Sequence, residues 1–423
     1  MQAVNDGMDN SPEFLQYGAS QRFSLSLEND RLIERLSGPV ALDDAQSVIA
    51  AALASPLDYP ALHQSVVPGD RVVILLDREL PGLSVILPAV WAQLASAGVI
   101  PADVHLVHPA SLVAQQIPDP RQFLPAEVRE EVQWTIHDPT IDDANGYLAT
   151  SLAGERLYVS RQILDADVIL PIGRLCFDSV LGYRGIGALI YPGFSTAEAF
   201  RRMHGQGHSE LGPDDDRPLQ QLLEEIGWLL GLQFVVQVVP SREADQPAAI
   251  FAGNPEAVLR EGRTFLDLHW RLEIPERVPL VIAAVPASGT ANTWEQVGSA
   301  VETARNLVTR GGRIVVLTDL SADPGMGVEL LRSFEDPREA LQPLREALPA
   351  DFLAATRLAR SADWAGVYLL SRLPSELVED LFCVPLDEPK EVERLLIHLD
   401  EPCAVLHGAQ YAFTQVHAFE DED

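Results

Sequence analysis

From Asp70 onward the chain alternates short aliphatic or β-branched runs with longer stretches of helical period. RVVILLD (Arg71 to Asp77) is apolar at successive positions, so it reads as a strand covered on both faces. Pro88 to Ala97 reads as a helix and DVHLVH (Asp103 to His108) as the next strand, which completes a strand–helix–strand unit of the kind that builds parallel sheets. EVQWTIHD predicts a strand ending at His137 and Asp138, RLYVSRQI another after the turn residues Ala153 and Gly154, and DVILPIG (Asp167 to Gly173) a third. The Gly-rich LGYRGIGALIYPG (Leu181 to Gly193) precedes STAEAFRRMH, a helix that Ser195 or Thr196 caps, with Glu198 in its first turn and Gly205 and Gly207 as its stop. After the polar loop GPDDDRP come a helix (PLQQLLEEIGWLLGL), a strand (QFVVQVV) and a helix (NPEAVLREGRTFLDLHW).

ERVP, at residues 276–279, marks a seam, because strand, helix and strand then begin again as PLVIAAV, WEQVGSAVETARNLVTR and GGRIVVLTD. Gly311 and Gly312 are expected to end that second helix. The prediction is an α/β protein of two domains, with mainly parallel sheets flanked by helices and a ligand cleft between the domains. Its expected parts are a flexible segment over 1–20, domains over 21–275 and 276–416, and an acidic tail over 417–423. Ligand-binding groups in such sheets gather where strands end.

Composition narrows the function. The 423 residues are 47% apolar, enough for ordinary cores, and 62 acidic residues against 30 basic ones give a net charge of −32. Such a surface repels phosphate backbones and anionic bilayers unless a local basic patch intervenes, so neither nucleic acid nor membrane is an expected partner. Lys390 is the single lysine, and it lies in the polar run DEPKEVER. That position suits neither a phosphate-binding P-loop nor a pyridoxal phosphate Schiff base. Cys176, Cys383 and Cys403 are too scattered for a disulfide framework or a zinc ribbon, and buried thiols are expected. The start of the chain, MQAVNDGMDNSPEF, has neither a basic region nor an apolar core, so no secretory signal and a cytoplasmic location are expected.

Four features offer chemistry. The glycines of GYRGIG let backbone N–H groups approach an anion, although their order is not the dinucleotide fingerprint. His204 and His208 have the spacing of a metal pair on one helix face, but Gly205 and Gly207 interrupt that helix. His137 and Asp138 form a polar pair at a strand end. Asp77, with Arg78 and Glu79 beside it, sits at a strand tip facing the expected crevice. No GxSxG elbow supports a hydrolase.

Taken in order, these segments resemble the nickel-pincer lactate racemase family from about Asp70 to Gly327. RVVILLDRELP is similar to its first strand with an Asp-x-x-Arg-Pro tip. IHDP through TSLAGERLYVSRQILDADVILPIG parallels its His-Asp, Thr-x-x-Gly and Ala-Asp-x-Ile pattern, with Ser151 where strict spacing to Gly154 wants threonine. GYRGIGALIYPGFST with RRMH, and VPASGTANTWEQVGSAVETARNLVTRGGRIVVLTDLSADPGMG, resemble the later segments. The resemblance implies a nickel pincer nucleotide between two α/β domains and racemisation of a 2-hydroxy acid by hydride transfer, with a histidine base removing the hydroxyl proton.

Carried onto this sequence, the resemblance makes His204 the nickel ligand, Asp77 the strand-tip aspartate and Gln296 the glutamine of the substrate-side helix. It also exposes losses. Ala188 stands at the tethering lysine, Asp178 and Leu112 at the two catalytic histidines, Leu80 at the strand-tip arginine and Ser299 at a second lysine. The expected site therefore has Asp178 and Gln296 as catalytic residues, Asp77, Gly182, Arg184 and Gly185 on a cofactor held without a covalent lysine link, and His204 on the metal. Arg78 and Arg184 are candidates for the lost anion contacts. The expected ligand is a small hydroxy acid or a nucleotide-like molecule. The alternative expectation is a noncatalytic homologue that keeps the scaffold for ligand binding or assembly.

Overall fold

The computed structural model describes residues 13–25, 31–109, 117–204, 211–289, 291–399 and 401–417. It contains two α/β lobes, each built on a six-stranded sheet. In lobe 1 the strand order is Pro247–Gly253, Val235–Pro240, Val168–Arg174, Val72–Leu76, Val104–His108 and Gln133–Ile136. All neighbours are parallel except the first pair. In lobe 2 the order is Cys383–Leu386, Gly366–Leu370, Val308–Leu317, Val278–Ala284, Cys403–His407 and Leu32–Leu36, all parallel.

The apolar run that predicted the first strand explains its central place. Val72, Ile74 and Leu76 point into one cluster with Ile86, Val90 and Leu94 of the helix Leu83–Ser96. Val73 and Leu75 point into the opposite cluster with Ile186, Leu189, Leu223 and Ile226. Each such side chain, fully buried, stabilises the fold by roughly 1.5–3 kcal/mol before entropy is counted. Lobe 2 repeats the plan: Val281 and Ala283 face one core, and Leu280, Ile282 and Ala284 face the other.

That last core corrects the expected domain boundaries. Glu13–Tyr17 and Gln21–Leu25 form an antiparallel hairpin whose Leu15, Phe23 and Leu25 pack against Leu280 and Ile282, and Leu32–Leu36 is the edge strand beside Cys403–His407. Residues 13–25 and 32–36 thus belong to lobe 2, not to a flexible segment followed by lobe 1. Sequence order hid this, since the lobe 2 sheet lacks one edge until the chain's beginning supplies it. The expected acidic tail falls largely on 418–423, outside the described residues.

The strand expected in RLYVSRQI is present, and one smaller expectation changes. Arg156–Ser160 pairs with Asn145–Thr150 in a separate hairpin and does not join the main sheet. The helix Trp294–Leu307 ends because Val308 takes extended backbone and pairs with Val278, before the glycines are reached. Gly311 and Gly312 instead lie in an irregularity of Val308–Leu317, where Gly311 has φ +75°. Among the described residues no helix is long and apolar enough to cross a membrane.

Candidate functional site

In each sheet the chain runs outward in one direction and then restarts on the other side, which leaves a switch point between two parallel strands where ligands collect. In lobe 1 this point lies between Val72–Leu76 and Val168–Arg174, whose ends carry Asp77 and Arg174. In lobe 2 it lies between Val278–Ala284 and Cys403–His407, followed by Ser288 and by Gln410 and Tyr411. The two points face each other. Arg174 lies 5.9 Å from the Tyr411 ring centroid, and the hydroxyls of Tyr411 and Ser288 are 2.7 Å apart.

Glu79 joins the lobes. Its Oε2 accepts from Arg174 Nη1 at 2.7 Å and from Gln296 Nε2 at 3.2 Å, and its Oε1 accepts from Thr293 Oγ1 at 3.2 Å. Thr293 and Gln296 form the capping box of the helix Trp294–Leu307. The carboxylate therefore sits at that helix's N-terminus, where the macrodipole favours an anion. A second link uses Ser179, whose hydroxyl donates to Glu302 Oε2 at 2.7 Å and accepts from Arg357 Nη2 at 2.9 Å. Arg357 pairs with Glu302 at 2.8 Å and donates to Ser299 Oγ at 2.9 Å. A guanidinium from the helix Phe352–Trp364 thus reaches Ser299, the position where the resemblance led one to look for a lysine.

The charges hold one another in place. Burial raises the pKa of Asp77, but Arg184 and Arg174 outweigh it and keep the carboxyl below its ordinary range. Glu295 behaves alike, with Arg184, Arg78 and Arg174 overcoming the same desolvation. Around the cleft, Asp77, Glu79, Asp178, Glu295 and Glu302 face Arg78, Arg174, Arg184 and Arg357. With Arg217, which lines the adjoining space, the guanidiniums equal the carboxylates in number, so no positive surplus is left for a phosphate.

Of the residues named from sequence, Asp178, Arg184 and Gln296 line a shared cavity of ≈ 20 Å³ with Arg174, Cys176 and Tyr411. Asp77 lies just behind, accepting the Arg174 backbone N–H at 3.3 Å. Gly182 borders an adjoining space of ≈ 50 Å³ with Ser179 and Arg357. Asp178 Oδ1 accepts the backbone N–H groups of Val180 and Leu181 at 2.8 and 3.0 Å, which organises the turn between Cys176–Asp178 and Gly182–Arg184. Gln296 is spent on the capping box and the Glu79 contact. Gly185 is packed against Gln237, whose Nε2 would meet an added Cβ at 2.8 Å. His204 is the last residue of the helix Ala197–His204, and its side chain lies outside the described residues, as do Leu112, Gly205, Gly207 and His208.

The other positions resolve simply. Ala188 is buried with Leu189 and Ile190 in an apolar cluster, and Leu80 in another. His137 donates from Nε2 to the Ser195 carbonyl at 2.9 Å, while Asp138 accepts from Thr140, so the two do not act as a dyad. The three cysteines are buried and free. Among the described residues no group of three His, Cys, Asp or Glu side chains is placed to hold a metal ion. Thr196 Oγ1 accepts the Ala199 N–H at 3.3 Å and is the cap expected for the following helix.

Gly182 has a steric role that its place in a Gly-rich motif does not reveal. Its φ is +75°, and a Cβ there would lie 2.3 Å from the Pro213 carbonyl oxygen. Gly182→Ala is therefore expected to cost at least about 1–3 kcal/mol through backbone strain. A thermal unfolding curve checks it; an unchanged midpoint would remove the steric role.

The sequence reading missed Arg174, Ser179, Glu302, Arg357 and Tyr411. Arg174 ends a predicted strand and could have been flagged by position, but the others come from a hairpin, from mid-helix and from near the end of the chain, with no local signal.

A sequence model of the lactate racemase N-terminal domain family matches residues 17–211. The structure of the lactate racemase apoprotein from Thermoanaerobacterium thermosaccharolyticum is similar with a TM-score of 0.78 at 16% identity, covering 96% of this chain and 100% of that one. A crystal structure of a protein from Thermotoga maritima is similar with a TM-score of 0.68 at 13% identity, covering 89% and 100% respectively. No curated protein matches the sequence. At these identities the two structures speak for the fold alone.

Proposed function

We propose, from the premise that the chain belongs to the lactate racemase family through its N-terminal domain at residues 17–211 and shares the fold of a lactate racemase apoprotein, that it is a noncatalytic homologue. In this reading the cleft is an ion-paired clasp holding the lobes together, and the scaffold serves binding or assembly. The observation that carries it is Glu79, which fills with the chain's own carboxylate the anion position at the N-terminus of Trp294–Leu307.

The nickel pincer nucleotide does not fit the described residues of the cleft while the clasp is closed. Cofactor sites enclose about 300–1,000 Å³, whereas the cleft holds spaces of ≈ 20 and ≈ 50 Å³ between paired side chains. The tether position is a buried alanine, and Arg174 and Arg357 are already engaged by Glu79 and Glu302. Loss of general bases alone lowers rates by roughly a hundred- to ten-thousand-fold. Protein purified from a host able to make the cofactor is expected to carry no stoichiometric nickel or nucleotide, and to leave a panel of chiral 2-hydroxy acids uninverted. Robust inversion of any one of them would overturn the reading.

A second reading is favoured by the convergence of Asp77, Arg184, Asp178 and Gln296 on one cleft. It is a racemase or epimerase of a 2-hydroxy acid that binds the nucleotide noncovalently after the clasp opens. Asp178 would then serve as base and His204 as metal ligand, with Asp77, Gly182, Arg184 and Gly185 on the cofactor. The same panel selects between the readings, since only the second predicts turnover.

A further inference from the structure

One region of lobe 2 runs against the chain's net charge of −32. At the C-terminal end of the helix Trp294–Leu307, Arg277 Nη1 donates to the carbonyls of Arg305, Asn306 and Val308 at 3.0, 2.9 and 3.0 Å. The Arg277 guanidinium lies 5.1 Å from the Trp364 ring centroid, and that of Arg310 lies 5.3 Å from the same ring. The indole is fixed by its Nε1–H, which donates to the Val308 carbonyl at 3.0 Å.

Compensation is thin. Arg305 approaches Glu302 only to 3.9 Å, and that carboxylate is already bound by Arg357 at 2.8 Å and Ser179 at 2.7 Å. Arg360, one turn before Trp364, makes no hydrogen bond or ion pair among the described residues. Burial pushes the Arg305 pKa down; Glu302 opposes this, and the repelling charges of Arg360, Arg277 and Arg357 add to it. Arg277 and Arg310 remain exposed to solvent. The repulsion falls on Arg305, and an anion that bridged it to its neighbours would relieve it.

We propose that Arg277 and Arg310, both against Trp364, together with Arg305 and Arg360 of the two neighbouring helices, form a binding site for a small multivalent oxyanion of the phosphate class. Planar guanidinium forks match phosphate oxygens in pairs, and several forks around one point favour a group with several oxygens. The surrounding negative surface selects against long polyanions, which would have to cross it, and so favours a compact ligand. The site lies beyond the cleft and is independent of whether the cleft turns over a hydroxy acid.

Calorimetric titration of the intact chain with inorganic pyrophosphate, at about 0.15 M salt where weak surface attraction is screened, tests this. Saturable binding of one equivalent is expected, weakened at least tenfold by Arg360→Gln and by Arg310→Gln. Arg360 makes no bond to lose among the described residues, so Arg360→Gln is expected to keep the wild-type unfolding curve, and Arg310→Gln, which loses only its contact with Trp364, to shift it little. Absence of saturable binding, or affinity unchanged in both folded variants, would overturn the proposal.

Discussion

Glu79→Ala is expected to destabilise the protein by about 3–5 kcal/mol, the usual cost of removing one partner from a buried ion pair. The Arg174 and Glu79 side chains are only 9% and 14% exposed, so water cannot replace the lost carboxylate. Thr293 and Gln296 lose their cross-lobe acceptor as well. Chemical denaturation measures the loss. The double substitution Glu79→Leu with Arg174→Met should recover most of it, because well-packed apolar groups replace such a pair at little cost. A single variant within about 1 kcal/mol of the parent would show that the clasp carries none of the assigned weight. Hydrogen exchange adds a local readout: the first turn of Trp294–Leu307 should lose protection when Glu79 is removed, while the centre of the lobe 1 sheet should not.

The second large effect is a loss of stability between pH 6.5 and about 4. His108 and His407 are 2% and 6% exposed, and burial is the main cause that lowers each from the ordinary 6.5 to about 4. Trp134 donates to His108 Nδ1 at 3.1 Å, and the Gln16 backbone N–H donates to His407 Nε2 at 3.1 Å. Each accepting nitrogen must give up its bond to take a proton there. The folded values lie below the unfolded ones, so between these pH values the unfolded chain binds more protons. Stability is then fully present above 6.5 and falls as pH drops toward about 4. At ~1.36 kcal/mol per pKa unit, each histidine contributes about 3 kcal/mol. Denaturation midpoints at successive pH values should show this slope, flattened in His108→Gln and His407→Gln. A flat parent profile would mean that neither imidazole is held neutral by the fold. Asp77 and Glu295, held below the ordinary carboxyl range, add their loss only at lower pH.

The pH effect also shows what local reading can miss. His108 closes a predicted strand, but its proton affinity depends on its burial beside Trp134 of the neighbouring strand and on the opposing charges of Asp77 and Arg78. The identity of the residue was visible; its proton affinity was not.

Sequence by itself determined the alternation of strands and helices, the doubly covered strand at Val72–Leu76, the two-lobed α/β plan and the place of Asp77 at a strand tip. These follow from side-chain period, helix caps and the chain reversals between elements, all of which are local. The single lysine, Lys390, can likewise be read without coordinates. Only the tertiary structure decided that residues 13–25 and 32–36 complete lobe 2, that Glu79 closes the cleft against a helix 214 residues away, and that Arg357 reaches Ser299. Pairing between distant segments is set by which edges and charges remain unsatisfied once the lobes have formed, and no local pattern in the chain encodes that remainder.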